Sequence, residues 1–263
     1  MKNKRRNFLT QIGLLGFTGF LTSCNHIFRS AFLNNHNKIT PNAYAPTLEE
    51  EMCVIPTKQV EGPFYLKSPI RKDIKEDRNG IQLTLRLGLV NAEDCKPISG
   101  AVIEIWHCDA QGRYSGYPED TARNFSKSLK FTGVKGMKGE KHIDAINEKM
   151  YLRGAQITDE NGIVEFATIF PGWYEPRATH IHVKATINEK EQLDIQYYFE
   201  KTLSDNIYAN NEYYKDFGTC PYNIDNDMAL RKDKVINGVL LKTIWKSNNL
   251  LETSAKIGVR RQA

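Results

Sequence analysis

Two histidines one residue apart close a stretch dense in reactive side chains, Pro171-Gly-Trp-Tyr-Glu-Pro-Arg-Ala-Thr-His-Ile-His182. On a β-strand side chains alternate between faces, so His180 and His182 point the same way, two rungs apart. Two imidazoles so placed can converge on one metal ion. The same spacing also arises where histidines only satisfy a strand surface, so the surroundings of the pair decide. A tyrosine and an arginine, Tyr174 and Arg177, stand just upstream. Histidine is otherwise scarce: His26, His36, His107 and His142 complete the set.

The elements that must position these residues read as strands. Ile81, Leu83, Leu85, Leu87 and Leu89 alternate with Gln82, Thr84, Arg86 and Gly88, the pattern of a half-buried strand. Ala101 to His107 predicts a second strand. Met150 to Thr158 and Ile163 to Phe170 predict two more, joined as a hairpin across Asp159-Glu-Asn-Gly162. Thr179 to Ile187, Asp194 to Phe199 and Val239 to Trp245 continue the series, and strongly periodic helices are hard to find. Many short strands with turn punctuation predict an all-β domain, an antiparallel β-sandwich with long active-site loops. Between Glu119 and Lys149 the pattern fails. That glycine- and lysine-rich segment lies between two stretches that carry chemistry, which suggests a flap near the site.

The ends of the chain carry a different message. Lys2, Lys4, Arg5 and Arg6 precede an apolar run, Ile12 to Leu21, then Thr22-Ser23-Cys24. Basic, apolar, small is the order of an export signal, and the run is short for a bilayer span. Arg5-Arg6 resembles a twin-arginine signal, and Leu21-Thr-Ser-Cys24 resembles a lipoprotein cleavage box with Cys24 lipidated. Residues 1–23 then form the leader, 24–50 a tether and 51–263 the domain, exported and membrane-anchored on the periplasmic or outer side. The whole chain has a net charge of +5; removing the four leader cations leaves +1, which takes away the main support for nucleic-acid binding. Cys53, Cys95, Cys108 and Cys220 remain after Cys24. Outside the cytoplasm their even number suggests disulfides, with three possible pairings. The absence of any Cys-x-x-Cys excludes a zinc ribbon.

Five blocks resemble the intradiol ring-cleavage dioxygenases, the non-haem iron(III) family that opens catechols between their two hydroxyls. They are Glu61-Gly-Pro-Phe-Tyr65, Gly100-Ala-Val-Ile-Glu-Ile-Trp-His107 with Gly112-Arg-Tyr114, Pro171-Gly-Trp-Tyr174, Arg177-Ala-Thr-His-Ile-His182 and Gln196-Tyr-Tyr-Phe199. They cover most of residues 60 to 200 in the family's order. The resemblance implies iron(III) held by Tyr114, Tyr174, His180 and His182. Phenolate is a hard anionic donor suited to a hard ferric ion, and a bound metal lets tyrosine ligate as tyrosinate. It also implies that Tyr174 acts as a base, that Arg177 stabilises charge on the substrate ring and that Gln196 positions an oxygen. Pro63 and Tyr65 would line the substrate pocket. The partners implied are a small aromatic diol and O2, and the product a cis,cis-muconate-type diacid.

Rival readings stand beside these. Tyr117 competes with Tyr114, although Gly-Arg-Tyr favours the latter. His107 reads as a structural histidine, His142 has no assigned role, and the tyrosines at 197, 198, 213, 214 and 222 read as core or surface aromatics. The segment ahead of the domain is shorter than the helical dimerisation segment of the catechol and hydroxyquinol branches, and the carboxylate-binding features of the protocatechuate branch are not recognisable. The branch, the substrate and the oligomeric state are thus open. An exported metal- or ligand-binding sandwich without turnover is the alternative from another class. A zinc or copper hydrolase is disfavoured, because zinc takes His, Cys and carboxylate rather than tyrosine.

Overall fold

The computed structural model describes Cys53 and residues 55–56, 58–117, 142–230 and 238–260. The leader, Cys24, the tether and most of the 119–149 segment lie outside the described residues. Among those described, nine strands form two sheets. In chain order they are β1 (Gln82–Asn91), β2 (Val102–Trp106), β3 (Arg153–Ile157), β4 (Ile163–Ile169), β5 (His180–Ile187), β6 (Lys190–Phe199), β7 (Leu240–Leu241), β8 (Thr243–Ser247) and β9 (Leu250–Val259). A four-stranded sheet runs β4-β1-β9-β8 and a five-stranded sheet β3-β2-β5-β6-β7.

The expected sandwich is present, and alternation explains where its core sits. Leu83, Leu85, Leu87 and Leu89 of β1 are buried while Arg86 is exposed. They meet Ile103 and Ile105 of β2, Ile181, Val183 and Ala185 of β5, and Ile195, Tyr197 and Phe199 of β6 in one apolar cluster. Burial of such side chains contributes roughly 1.5–3 kcal/mol each.

The same period of two sends the alternate residues of the five-stranded sheet to its other face. These are Glu104 and Trp106 of β2, His180, His182 and Lys184 of β5, and Asp194, Gln196 and Tyr198 of β6. They are nevertheless buried or nearly so, because loops cover them: Phe64, Tyr114 and Tyr174 join Trp106 in a second apolar cluster. Polar residues on that face are therefore desolvated without being part of the main core.

Two expectations need correction. The Asn-Gly turn is there, with Gly162 N–H donating to Asp159 O at 2.9 Å, but β3 and β4 do not pair as a hairpin; they belong to different sheets. β4 zips onto β1 from Gln82↔Ile169 to Gly88↔Ile163, and β3 onto β2; these pairings outcompete the local one. The pairing is not wholly antiparallel either: β1 runs parallel to β9, and β6 to β7. The four cysteines Cys53, Cys95, Cys108 and Cys220 stand as unbonded thiols in this structure. Cys108 and Cys220 are buried and donate to the carbonyls of Gly172 and Tyr222.

One helix, α1 (Lys201–Asn210), follows β6 and was not anticipated; its buried Ser204, Ile207 and Tyr208 form a narrow stripe. It matters to the site. Tyr208 accepts from Thr179 Oγ1 at 2.6 Å and donates to Pro171 O at 3.0 Å, while Tyr214 donates to Phe170 O at 2.7 Å. The two phenols thus pin the start of the loop that carries Tyr174.

Candidate active site

Cross-strand register assembles the site. His182 lies opposite Trp106 on β2 and Gln196 on β6, His180 opposite Tyr198, and Lys184 opposite Glu104 and Asp194. Side chains directly opposite on one face touch. The Trp106 ring stacks on that of His182, with centroids 4.8 Å apart and an 8° tilt between planes.

The four expected ligands come together. Tyr114, Tyr174, His180 and His182 are each 2% exposed, so their polar atoms are shielded from bulk solvent. The Tyr174 hydroxyl is 3.4 Å from His180 Nε2, and the Nε2 atoms of His180 and His182 are 3.1 Å apart. Tyr114 meets Tyr174 edge-on at 5.6 Å between ring centroids and His182 at 6.4 Å. His180 Nδ1 is 2.6 Å from Ala178 O, which places its proton on Nδ1 and leaves Nε2 bare. Burial, and then the Arg177 cation, hold both histidines well below the ordinary imidazole range, so both rings are neutral.

One buried polar atom at this spot lacks a hydrogen-bond partner, the Tyr114 hydroxyl. Buried polar atoms are rarely left so. An unpaired phenol beside two facing imidazole nitrogens is a donor set shaped for a cation. No cluster of three or more His, Cys, Asp or Glu occurs among the described residues, so the converging donors are phenol and imidazole. That set suits a hard ferric ion better than zinc. Burial pushes the Tyr174 phenol up to about 12 and, with the Tyr174 phenol beside it, Tyr114 well above its usual value. Both are therefore protonated until a cation draws the protons off.

Backbone shape makes room for this. Gly62 has φ +85°, and a Cβ there would lie 3.2 Å from His182 Cε1. Gly112, at φ +75°, lets the chain before Tyr114 pass so close to Trp173 that a Cβ would meet its carbonyl oxygen at 2.2 Å. Trp173 turns away and donates to Gly218 O at 3.0 Å. Tyr117 points elsewhere too, donating to Tyr65 O at 3.3 Å.

Arg177 is almost fully buried and held from three sides. Its Nε donates to both oxygens of Asp227 at 3.0 Å, and its NH2 group donates to Tyr198 Oη at 3.1 Å and to Gln196 Oε1. Burial works against its charge, but Tyr198 and Asp227 outweigh burial and keep it cationic. Asp227 also accepts from the amides of Ala178 and Ala229 at 2.6 and 2.8 Å. Gln196 is engaged at both ends, its Nε2 donating to Val60 O at 3.0 Å. Its Oε1 accepts from Arg177, so the two side chains hold each other in place.

His107 is structural as expected: Nδ1 sits 2.8 Å from Cys108 O and Nε2 2.7 Å from Thr168 Oγ1, and burial lowers its pKa to about 4. Phe64, between the expected Pro63 and Tyr65, is the residue that stacks on Tyr114 at 4.7 Å and meets Tyr174 at 5.9 Å. Tyr65 lies one layer out, against Trp106, with its hydroxyl 3.3 Å from Glu104 Oε1. The described end of the flap segment does reach this edge: Ile143 N–H donates to Pro63 O at 2.9 Å, and His142 pairs with Glu61. Glu61 in turn pairs with Lys184.

Sequence reasoning missed Asp227, Tyr198 and Phe64. Tyr198 could have been found from the period-two step after Gln196, and Phe64 lies inside a recognised block. Asp227 carries no local signal, since only the folded chain brings it to Arg177.

Comparison with known proteins agrees with this geometry. The family model described as Dioxygenase matches residues 60–214. A chlorocatechol 1,2-dioxygenase of Cupriavidus pinatubonensis is 27% identical over 147 residues, which are 55% of this chain and 54% of the relative. A catechol 1,2-dioxygenase of Acinetobacter baylyi is 30% identical over 125 residues, 44% of this chain and 32% of the relative. The chain thus spans about half the length, or less, of the curated relatives it matches. Among solved structures, an intradiol ring-cleavage dioxygenase from Tetranychus urticae superposes with a TM-score of 0.64 at 30% identity, covering 79% of this chain and 95% of that one.

Proposed function

The chain belongs to the intradiol ring-cleavage dioxygenase family, and from that premise we propose that it opens the ring of a catechol-type aromatic between its two hydroxyls, using O2 and giving a cis,cis-muconate-type diacid. The observation that carries the proposal is the convergence of two phenols and two neutral imidazoles in a buried spot where a phenol oxygen has no protein partner. Tyr114, Tyr174, His180 and His182 would hold iron(III). Ferric iron, when bound, supplies a Lewis-acidic centre that draws electron density from a chelated diol and opens the ring to attack by O2.

The chain's own residues do the rest. Tyr174 Oη, once ionised, is a strong proton acceptor, because burial favours its neutral form; it takes the proton of one substrate hydroxyl. Arg177 supplies a fixed cation where negative charge builds on the ring, and needs no reorganisation because Asp227, Gln196 and Tyr198 already hold it. Phe64 and Trp106 fill the space around the ligands and exclude water, which strengthens each of these electrostatic contacts.

Purified protein is expected to bind about one iron per chain and to be reddish from phenolate-to-iron(III) charge transfer. Oxygen uptake with a panel of plain, chlorinated, carboxylated and hydroxylated catechols tests turnover. A colourless protein holding stoichiometric zinc, with no activity after iron loading, overturns the proposal. The Arg5-Arg6 and Cys24 motifs support the further reading that the domain works outside the cytoplasm on a lipid anchor.

A further inference from the structure

Cys53 and Cys95, far apart in sequence, meet at the end of β1. Cys53 Sγ donates to Asn91 O at 3.7 Å, and the Cys95 amide donates to the same oxygen at 2.8 Å. Cys95 is exposed and Cys53 half-buried, whereas Cys108 and Cys220 are each 1% exposed and out of reach of an oxidant. We propose that Cys53 and Cys95 are joined by a disulfide in the mature protein. The bond staples the stretch leading into Glu61–Tyr65 to the end of β1, whose next residue, Ala92, donates to Val259 O of β9 at 2.9 Å. It would thereby fix the segment that sets Gly62 against His182 and Phe64 against Tyr114.

The inference rests on the export reading, since only an oxidising compartment maintains such a bond. The chemistry is thiol–disulfide exchange with a disulfide oxidant, either a small molecule or a protein. The exposed Cys95 attacks one oxidant sulfur as thiolate and displaces the other, forming a mixed disulfide. Cys53 then attacks the Cys95 sulfur, closes the bond and releases the oxidant's second sulfur as a thiol. Two thiols are oxidised, one disulfide is reduced, and the two protons end on the oxidant's thiols. Burial, and then the neighbouring Cys95, push the Cys53 thiol up to about 11, which suits the second step better than the first.

The test uses the full chain carrying Cys24→Ser, equilibrated in a glutathione buffer of oxidising poise, alkylated and mapped by mass spectrometry without reduction. A Cys53–Cys95 linked peptide is expected, with Cys108 and Cys220 alkylated only after unfolding. Cys53→Ser should abolish the link and lower the melting temperature by about 5–10 °C. If both Cys53 and Cys95 stay alkylatable in that buffer, or pair with Cys108 or Cys220, the pairing is wrong. The same map on wild-type protein alkylated in cells separates the two premises. A link that forms readily in glutathione while the thiols are free in cells overturns the native disulfide through the export reading, and leaves the pairing geometry intact.

Discussion

Arg177 offers a way to separate catalysis from structure. Its guanidinium is paired with Asp227, whose side chain has no exposed surface. Removing Arg177 alone, as in Arg177→Ala, leaves that carboxylate buried with only the Ala178 and Ala229 amides as donors among the described residues. Such a broken pair costs about 3–5 kcal/mol of stability. The transition state should also lose a preorganised cation, which lowers kcat by about 10²–10³-fold, or about 2.7–4 kcal/mol. A single substitution therefore confounds the two effects. The double variant Arg177→Gln with Asp227→Asn removes both charges and leaves an amide at each position, and should recover most of the ~3–5 kcal/mol lost in the single variant. Urea unfolding of the iron-free protein measures the first quantity and oxygen uptake on a good catechol the second, with iron content and colour followed alongside. The expected outcome is stability restored, iron retained and kcat still depressed by at least about 10²-fold. Recovery of kcat together with stability would show that Arg177 only holds the fold, and the assignment of its charge to the reacting ring would be abandoned.

Other outcomes can be checked separately. His107 is neutral in the fold with a pKa near 4, against about 6.5 unfolded. Its contribution is thus complete above pH 6.5 and is lost as pH falls towards 4, at up to about 1.4 kcal/mol per pH unit; His107→Gln should flatten the urea midpoint across that window, and an unchanged slope counts against the assignment. Gly62→Ala forces a Cβ into a left-handed conformation 3.2 Å from His182, so stability should drop by about 1–2 kcal/mol and iron affinity with it, read by chelator competition; wild-type affinity would mean that Gly62 does not shape the ligand. Cys24→Ser should move the protein from the membrane fraction to the soluble one with unchanged iron content, and a wild-type chain already soluble after processing removes the anchor.

The face of β5 that carries His180 and His182 was legible in the sequence, because a strand's period of two is local and needs no partner. The leucine alternation of β1 was legible for the same reason. So were the types of donor, since side-chain chemistry does not depend on the fold. What only the tertiary structure decided is which distant groups meet them. Lateral pairing sent β3 and β4 to different sheets despite an Asn-Gly turn between them, since seven residue pairs with β1 outweigh one local turn. The same pairing set Trp106 and Gln196 against His182 and closed loop aromatics over the outer face. Asp227 reaches Arg177 from a loop about fifty residues away, a contact that no periodicity encodes. It follows instead from the physical demand that a charge taken out of water find its counter-charge.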